Sequence, residues 1–378
     1  MAGIYLHIPF CKQACSYCDF HFSTSFEKYR EELIQAMMQE IVLRKNYMHT
    51  AKIESIYFGG GTPSLLMPHE LKCLLHTIDE NFEVSPTLEL TLEANPDDIN
   101  AEKLAFWKEL GVNRLSIGVQ SFRSQDLAWM KRAHNIDEAK TALALASKMG
   151  FELSVDLIYG LPNFTVKDFE QNINELMVYN PEHVSAYCLT VEEKTLLHTQ
   201  VKKGELKPSN NEEQSLQFDF LVEKLAQSGY EQYEISNFAR DGKYAVHNSN
   251  YWRGRKYLGI GPSAHSYNGV SRTWNIANNQ QYIKRLQNNV SFNEEEVLSL
   301  YDRFNECLLV GLRTKWGVDK SLLDPELQKD KEFLENIALF KKDELLIEDE
   351  NRYILTQKGR LRADGIASDL FLLEDDLA

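Results

Sequence analysis

The sequence predicts an α/β protein: a partial, open (β/α)6 barrel followed by a smaller, winged-helix-like C-terminal domain. Three observations carry the prediction. Six strand-like segments alternate with helix-like ones over the first half of the chain, residues suited to ligand binding recur where those strands end, and the composition turns to Leu-rich amphipathic helices from Ser291. Alternation of this kind calls for parallel strands joined by right-handed crossovers. Six units are too few to close an eight-stranded barrel, so the sheet should stay open. The expected divisions are a barrel over 1–230, an extension over 231–290 and the second domain over 291–378.

Strand one is Ile4 to Ile8, where period-two alternation puts Tyr5 and His7 on one face and Leu6 and Ile8 on the other. The apolar pair should face helices and the polar pair the barrel interior. Glu27 to Asn46 follows as a helix with Leu33, Met37 and Ile41 on one face. Strand two, Ile53 to Phe58, leads to a helix beginning near Pro68, which suits a first turn. Strand three, Leu88 to Leu92, precedes a helix from Asn100 to Leu110 that Gly111 caps. Strand four is Arg114 to Ile117, followed by two helical stretches. Strand five is Leu153 to Ile158, followed by a helix over Val166 to Met177, and strand six is His183 to Cys188. Asn210 to Ser228 reads as helix and Tyr230 to Ile235 as a further strand. In the last domain, Leu298 to Leu312 and Glu332 to Leu339 read as helices, and Leu345 to Leu355 as a hairpin turning at Asp349-Glu350-Asn351. Thr356 onward is helical again, and the tail Glu374-Asp375-Asp376 should fray.

At 378 residues, 43% hydrophobic and 26% charged, the chain can bury one large core and a smaller one. No stretch approaches the roughly eighteen apolar residues of a membrane span, and no charged-then-apolar leader precedes strand one. A cytoplasmic protein without a transmembrane segment is the expectation. A net charge of −15 argues against nucleic acid as a partner, because phosphate binding needs a basic footprint. The segment from Lys341 to Ala378 carries six Lys/Arg against ten Asp/Glu, so the winged-helix-like domain should be a lid or a protein-contact surface. Cys73, Cys188 and Cys307 stand alone in apolar surroundings and read as buried free thiols in a reducing compartment.

The remaining cysteines are different. Cys11, Cys15 and Cys18 follow strand one at spacings of four and three, too close together to be left unligated without reacting. A structural zinc site closes with four protein ligands, and His7 or His21 could supply the fourth. An iron–sulfur cluster on three cysteines instead leaves one iron open to an outside ligand. Other candidates fall at the ends of the next strands, where barrels of this type place their sites. Gly59-Gly60-Gly61-Thr62-Pro63 follows strand two, Glu93 ends strand three, Gln120 follows strand four, and Asp156 lies near the end of strand five. Each has a bland reading too: a Gly triplet as a turn, a carboxylate as a helix cap, Arg132 as a solvated surface residue. The chemical reading is that glycines expose backbone groups to an amino group, carboxylates accept from ammonium or ribose hydroxyls, and Arg132 forks onto a carboxylate.

The C-x3-C-x2-C spacing, with Tyr17 just before the last cysteine, resembles the signature of the radical S-adenosylmethionine (SAM) superfamily. The preceding Tyr-Leu-His-Ile-Pro-Phe-Cys resembles its oxygen-independent coproporphyrinogen dehydrogenase branch. The resemblance implies a [4Fe–4S] cluster on Cys11, Cys15 and Cys18 whose open iron chelates SAM. An electron from the cluster, which an electron donor would reduce, would then cleave SAM to a 5′-deoxyadenosyl radical. By the same resemblance the SAM-binding set is Tyr5, Tyr17, Gly60, Gly61, Thr62, Glu93, Gln120, Arg132 and Asp156.

Further on, His247-Asn248-Ser249-Asn250-Tyr251-Trp252 resembles the His-Asn-x-x-Tyr-Trp signature of the heme-chaperone family within that branch. It implies heme as cargo, with His247 and Asn248 meeting iron or a propionate and Tyr251 and Trp252 packing on the macrocycle. It also implies heme-acceptor proteins as partners and a homodimer as a candidate state. The bland reading is a satisfied histidine beside core aromatics. Tyr257 to Ser266, a Gly-rich turn that matches the same branch, should close the adenosyl pocket. The chain departs from the dehydrogenases at Phe20, where they carry a fourth cysteine, and in beginning strand one without their N-terminal extension. Two functions stay open. One is a heme chaperone that binds and cleaves SAM without coproporphyrinogen dehydrogenase activity; the other is that dehydrogenase. Phe20, the short N-terminus and the His247 run favour the first.

Overall fold

The computed structural model describes residues 1–49 and 51–374, so the expected fraying of Asp375 and Asp376 lies outside the described residues. Six strands, β1 (Ala2–Ile8), β2 (Ile53–Gly60), β3 (Val84–Ala94), β4 (Arg114–Gln120), β5 (Glu152–Tyr159) and β6 (His183–Cys188), lie parallel and in chain order. Helices Arg30–Leu43, Pro68–Asn81, Ala101–Glu109, Ile136–Lys148 and Val166–Met177 join them and bury their apolar faces against the outside of the sheet. Leu6 and Ile8 lie in that outer core with Leu33, Met37 and Ile41, as alternation along β1 requires. Local chemistry fixes the helix starts. Asn135 with Glu138, and Thr165 with Asp168, form reciprocal capping boxes at the last two of these helices.

The sheet is wider than six strands. β7 (Glu231–Glu234) and β8 (Asn237–Ala239) extend it antiparallel beyond β6. On the other side β9 (Lys256–Ile260) runs parallel to β1, followed by antiparallel β10 (His265–Tyr267), β11 (Ser271–Asn275) and β12 (Asn293–Val297). The order β12-β11-β10-β9-β1-β2-β3-β4-β5-β6-β8-β7 leaves β12 and β7 unpaired with each other, so the barrel is open. Here a sequence expectation is corrected. The run Tyr257 to Ser266 does not close a ligand pocket as a turn; its first half is β9, and the amide of Gly261 donates to the buried carboxylate of Glu40 at 2.9 Å. At Gly259 pairing with β1 overrides the local turn signal, whereas Gly261, Pro262 and Ser263 do form the turn that leads from β9 back into β10, away from the cavity.

A second apolar core, around Phe304, Leu308, Phe333, Ile337, Tyr353 and Ile366, belongs to the last domain. It joins helices Leu300–Leu312, Lys331–Lys342 and Ala363–Asp369 to a small sheet of β13 (Val318–Asp319), β14 (Leu346–Glu348) and β15 (Arg352–Leu355) in the order β13-β15-β14. That is a winged-helix-like arrangement. The barrel sheet runs on to Val297, past the boundary expected at 290. Among the lone cysteines, Cys188 and Cys307 are half-buried, but Cys73 is exposed on its helix, contrary to its expected burial.

Candidate functional site

Register lines up the inward-facing side chains in layers. Tyr5 pairs with Tyr57 and Tyr57 with Thr91. One step toward the strand ends, Glu93, Ser116 and Ser154 are in register, and then Gly118, Asp156 and Ser185. Most of these groups are polar because strand alternation gives the apolar set to the helices outside. Above the top layer opens a cavity of about 360 Å³.

Three thiols line one wall of that cavity, those of Cys11, Cys15 and Cys18. Their loop is held from several directions. The Ser16 amide donates to Met130 O at 3.1 Å, and Lys12 bridges Asp97 at 2.6 Å and Asp98 at 2.5 Å. Thr62 Oγ1 donates to Cys11 Sγ and Arg132 Nη1 to Cys15 Sγ, both at 3.5 Å. Among the described residues, no three His, Cys, Asp or Glu side chains converge at the distances of a single ion. His7 Nε2 instead bonds His21 O at 2.8 Å, and His21 Nε2 bonds Asn279 Oδ1 at 2.7 Å, so neither histidine is turned to the thiols. Three thiols spread over one wall fit a polynuclear cluster better than zinc.

Tyr17, Gly60, Gly61, Thr62, Glu93, Gln120, Arg132 and Asp156 line the same cavity. Tyr5 does not; it lies one layer deeper, its ring stacked on Tyr57 at 6.1 Å. Gly60 has φ +102°, and a Cβ there would meet the His7 ring at 2.6 Å, while one on Gly61 would meet Phe10 O at 2.7 Å. Glycine is required at both so that the end of β2 can close on β1. Gln120 adopts φ +70° at a register shift between β4 and β5, a strained position for a non-glycine residue on the rim. Arg132 lies in the turn between helices Ser124–Trp129 and Ile136–Lys148, not on a helix, and its Nη2 donates to Asn95 Oδ1 at 2.6 Å and Gly118 O at 2.8 Å.

Burial lifts the Glu93 carboxyl to about 8, with Asp156 adding to the rise and a 2.7 Å hydrogen bond from Tyr57 opposing it. Burial likewise lifts Asp156 to about 6, against hydrogen bonds from Ser185 and Ser116. Two buried acids held partly protonated give a pocket that gains from an incoming cation. Asn95 and Tyr57 were not singled out in the sequence, although both could have been found. Asn95 immediately follows β3, and Tyr57 is two residues before Gly59 on the inward face of β2.

The His247 run lies elsewhere. It forms the short helix Val246–Trp252, which meets the N-terminal halves of β1 and β2, the end of the barrel opposite the thiols. His247 Nδ1 bonds Ser55 Oγ at 2.9 Å and its ring lies 5.1 Å from that of Tyr57. Burial lowers its pKa to about 4, so the imidazole is neutral. Tyr251 is 40% exposed and packs edge-on against Trp252 at 5.0 Å, and Arg313 of the last domain stacks over Trp252.

Residues 5–176 match the family model of the Radical SAM superfamily, and residues 298–362 that of the HemN C-terminal domain. The chain is 32% identical over 374 residues to heme chaperone HemW of Lactococcus lactis, covering 98% of this chain and 97% of that one. This chain belongs to the HemW family of the radical SAM superfamily. Another HemW, from Bacillus subtilis, is 36% identical over 323 residues, 85% of each chain. The backbone of this HemW-family chain is also similar to coproporphyrinogen III oxidase (HemN) from Escherichia coli, described as a radical SAM enzyme, with TM-score 0.85 and 25% identity over 98% of this chain and 90% of that one. Membership of the superfamily brings a [4Fe–4S] cluster and SAM as cofactors. The residues present fit them: three thiols on one wall, a cavity of ligand size, and Arg132, whose Nε is buried without a protein partner among the described residues. Among the described residues no helix is long and apolar enough to cross a membrane.

Proposed function

We propose that this protein is a cytoplasmic heme chaperone that binds heme and delivers it to acceptor hemoproteins, on a radical SAM core served by an electron donor. The observation that carries the reading is the match over 98% of the chain to a relative named for heme chaperoning. Phe20 supports it. The side chain is 65% exposed at the mouth of the thiol-side cavity, where its bulk stands in the path of a porphyrinogen and so disfavours the dehydrogenase reading.

In this reading Cys11, Cys15 and Cys18 hold the cluster, Glu93 and Asp156 receive the SAM ammonium, and Arg132 receives its carboxylate. A cluster bound there supplies the electron that cleaves SAM. Residues 1–230 form the SAM-binding unit, 231–297 carry the heme motif and complete the sheet, and 298–374 cover it. His247 is the iron ligand: Nδ1 is engaged with Ser55 Oγ, and in the tautomer that carries its proton on Nδ1 the lone pair on Nε2 coordinates. A porphyrin does not fit the space of about 40 Å³ inside the barrel. Ligation therefore requires helix Val246–Trp252 to swing outward, taking Tyr251 and Trp252 with it. The acidic chain and the winged-helix-like domain suit a protein partner, an acceptor or a second copy, and not nucleic acid.

The test is anaerobic reconstitution followed by heme titration and coproporphyrinogen turnover side by side. Heme binding with a Soret band that weakens at least about tenfold in His247→Ala is the expected result. Turnover without heme binding would promote the second reading, oxidative decarboxylation of porphyrinogen propionates, which the 0.85 TM-score to HemN favours.

A further inference from the structure

Below the SAM-site cavity lies a second, smaller space of about 40 Å³. Its upper wall is shared with the larger cavity through Glu93, Ser116, Asp156 and Tyr187, and its lower wall is made by Ala245 and Asn248 beside the His247 helix. Arg114 is 2% exposed, and its Nη2 has no protein partner among the described residues although the side chain lines this space. A cavity of this volume with polar walls holds about three ordered waters, which would satisfy such a group. A direct route runs beside it. Tyr57 O–H donates to Glu93 at 2.7 Å, and the Tyr57 ring packs 5.1 Å from His247.

We infer that this inner cavity is a water-holding coupling site through which SAM bound at the rim locks the helix Val246–Trp252 into the barrel, and loss of SAM frees it. The SAM amino group hydrogen-bonded to Glu93 favours the ionised carboxylate, whose proton leaves to solvent. Tyr57 then donates to a charged acceptor, which strengthens the bond. Waters between Asp156, Arg114 and Asn248 tighten for the same reason, and both routes end on the helix. Coupling of this kind is reciprocal, so whatever pulls His247 outward weakens SAM binding by the same factor. The use of this lock in heme transfer rests on the heme reading above, whereas the lock itself does not.

The measurement is amide hydrogen exchange on the anaerobically reconstituted full chain, with and without SAM and without heme. Exchange across Val246–Trp252 should slow about five-fold when SAM binds. In Ala245→Val, which fills the inner cavity from below, calorimetry should still detect SAM at the rim while the slowing is at least halved, the direct Tyr57 contact carrying the remainder. Ser154→Ala removes a wall hydroxyl without adding volume, and should at least halve the slowing should the valine variant fail to fold. SAM binding to the wild type with no change at the helix overturns the inference, as does undiminished slowing in either folded variant. Because heme is absent, a His247 that proves not to ligate iron leaves this result intact.

Discussion

Glu89 holds the helix that carries His247: its two carboxylate oxygens accept from the backbone amides of Val246 and His247 at 2.8 Å each. A helix of seven residues leaves its first amides unpaired and is too short to be stable alone. The carboxylate of β3 supplies both the missing acceptors and a charge that suits a helix N-terminus. Glu89→Ala is expected to lower stability by about 1–3 kcal/mol in thermal unfolding and to speed amide exchange over Val246–Trp252 first. Unfolding that stays at the wild-type temperature would show that the helix is held by packing alone.

Removing any of Cys11, Cys15 or Cys18 should abolish the brown colour and the content of about four irons per chain that a reconstituted [4Fe–4S] protein carries. Cys188 lines the same cavity. Cys188→Ala should keep the full iron content, and loss of iron there would make it a fourth ligand.

SAM affinity should depend on pH through Glu93. With its pKa raised to about 8, a proton must leave before an ammonium can pair with the carboxylate. Affinity therefore falls as the pH drops below about 8, by up to about tenfold per unit while one proton is released. Asp156, lifted to about 6, adds to the fall only below that pH. Calorimetry in buffers of different ionisation enthalpy reads the released proton directly, and Glu93→Gln should remove it.

Glu40 is fully buried and meets Arg44, the amide of Gly261, Asn275 and Tyr282. Burial raises its pKa, and Arg44 opposes the rise. Glu40→Ala leaves Arg44 and three donors without their acceptor, and should cost about 3–5 kcal/mol in denaturant unfolding. Loss of SAM binding at unchanged stability would contradict a purely structural role.

Coproporphyrinogen turnover should be absent even with cluster, SAM and reductant. Hydrogen abstraction tolerates little misplacement of the substrate, and Phe20 projects at the mouth where the dehydrogenases resembled here carry a thiol. Chromatography of the oxidised porphyrins after anaerobic incubation decides it, and Phe20→Cys alone should not create turnover.

Much of the barrel was legible in the chain because its signals are local. Alternation along Ile4 to Ile8 sets which side chains face in, helix Val166–Met177 begins at its Thr165 cap, and strand His183–Cys188 spans the residues expected of it. The rim residues could be grouped because strand ends in a parallel sheet share one side. The edge strands were not legible. Asn237–Ala239 and His265–Tyr267 are three residues long, and Gly259 to Pro262 carries strong turn signals.

The strand–helix alternation, the cysteine spacing and the polar inward face are encoded locally, by neighbours a few residues apart. The place of the His247 motif is set by contacts across the fold. Its helix depends on an acceptor 158 positions away in the chain, Glu89, and on Ser55, 192 positions away. Those partners put His247 at the opposite end of the barrel from the thiols, and the same closure encloses the polar space between them. No local pattern encodes contacts across such separations, because they exist only once the sheet has curled and brought the bottoms of β1, β2 and β3 against one short helix.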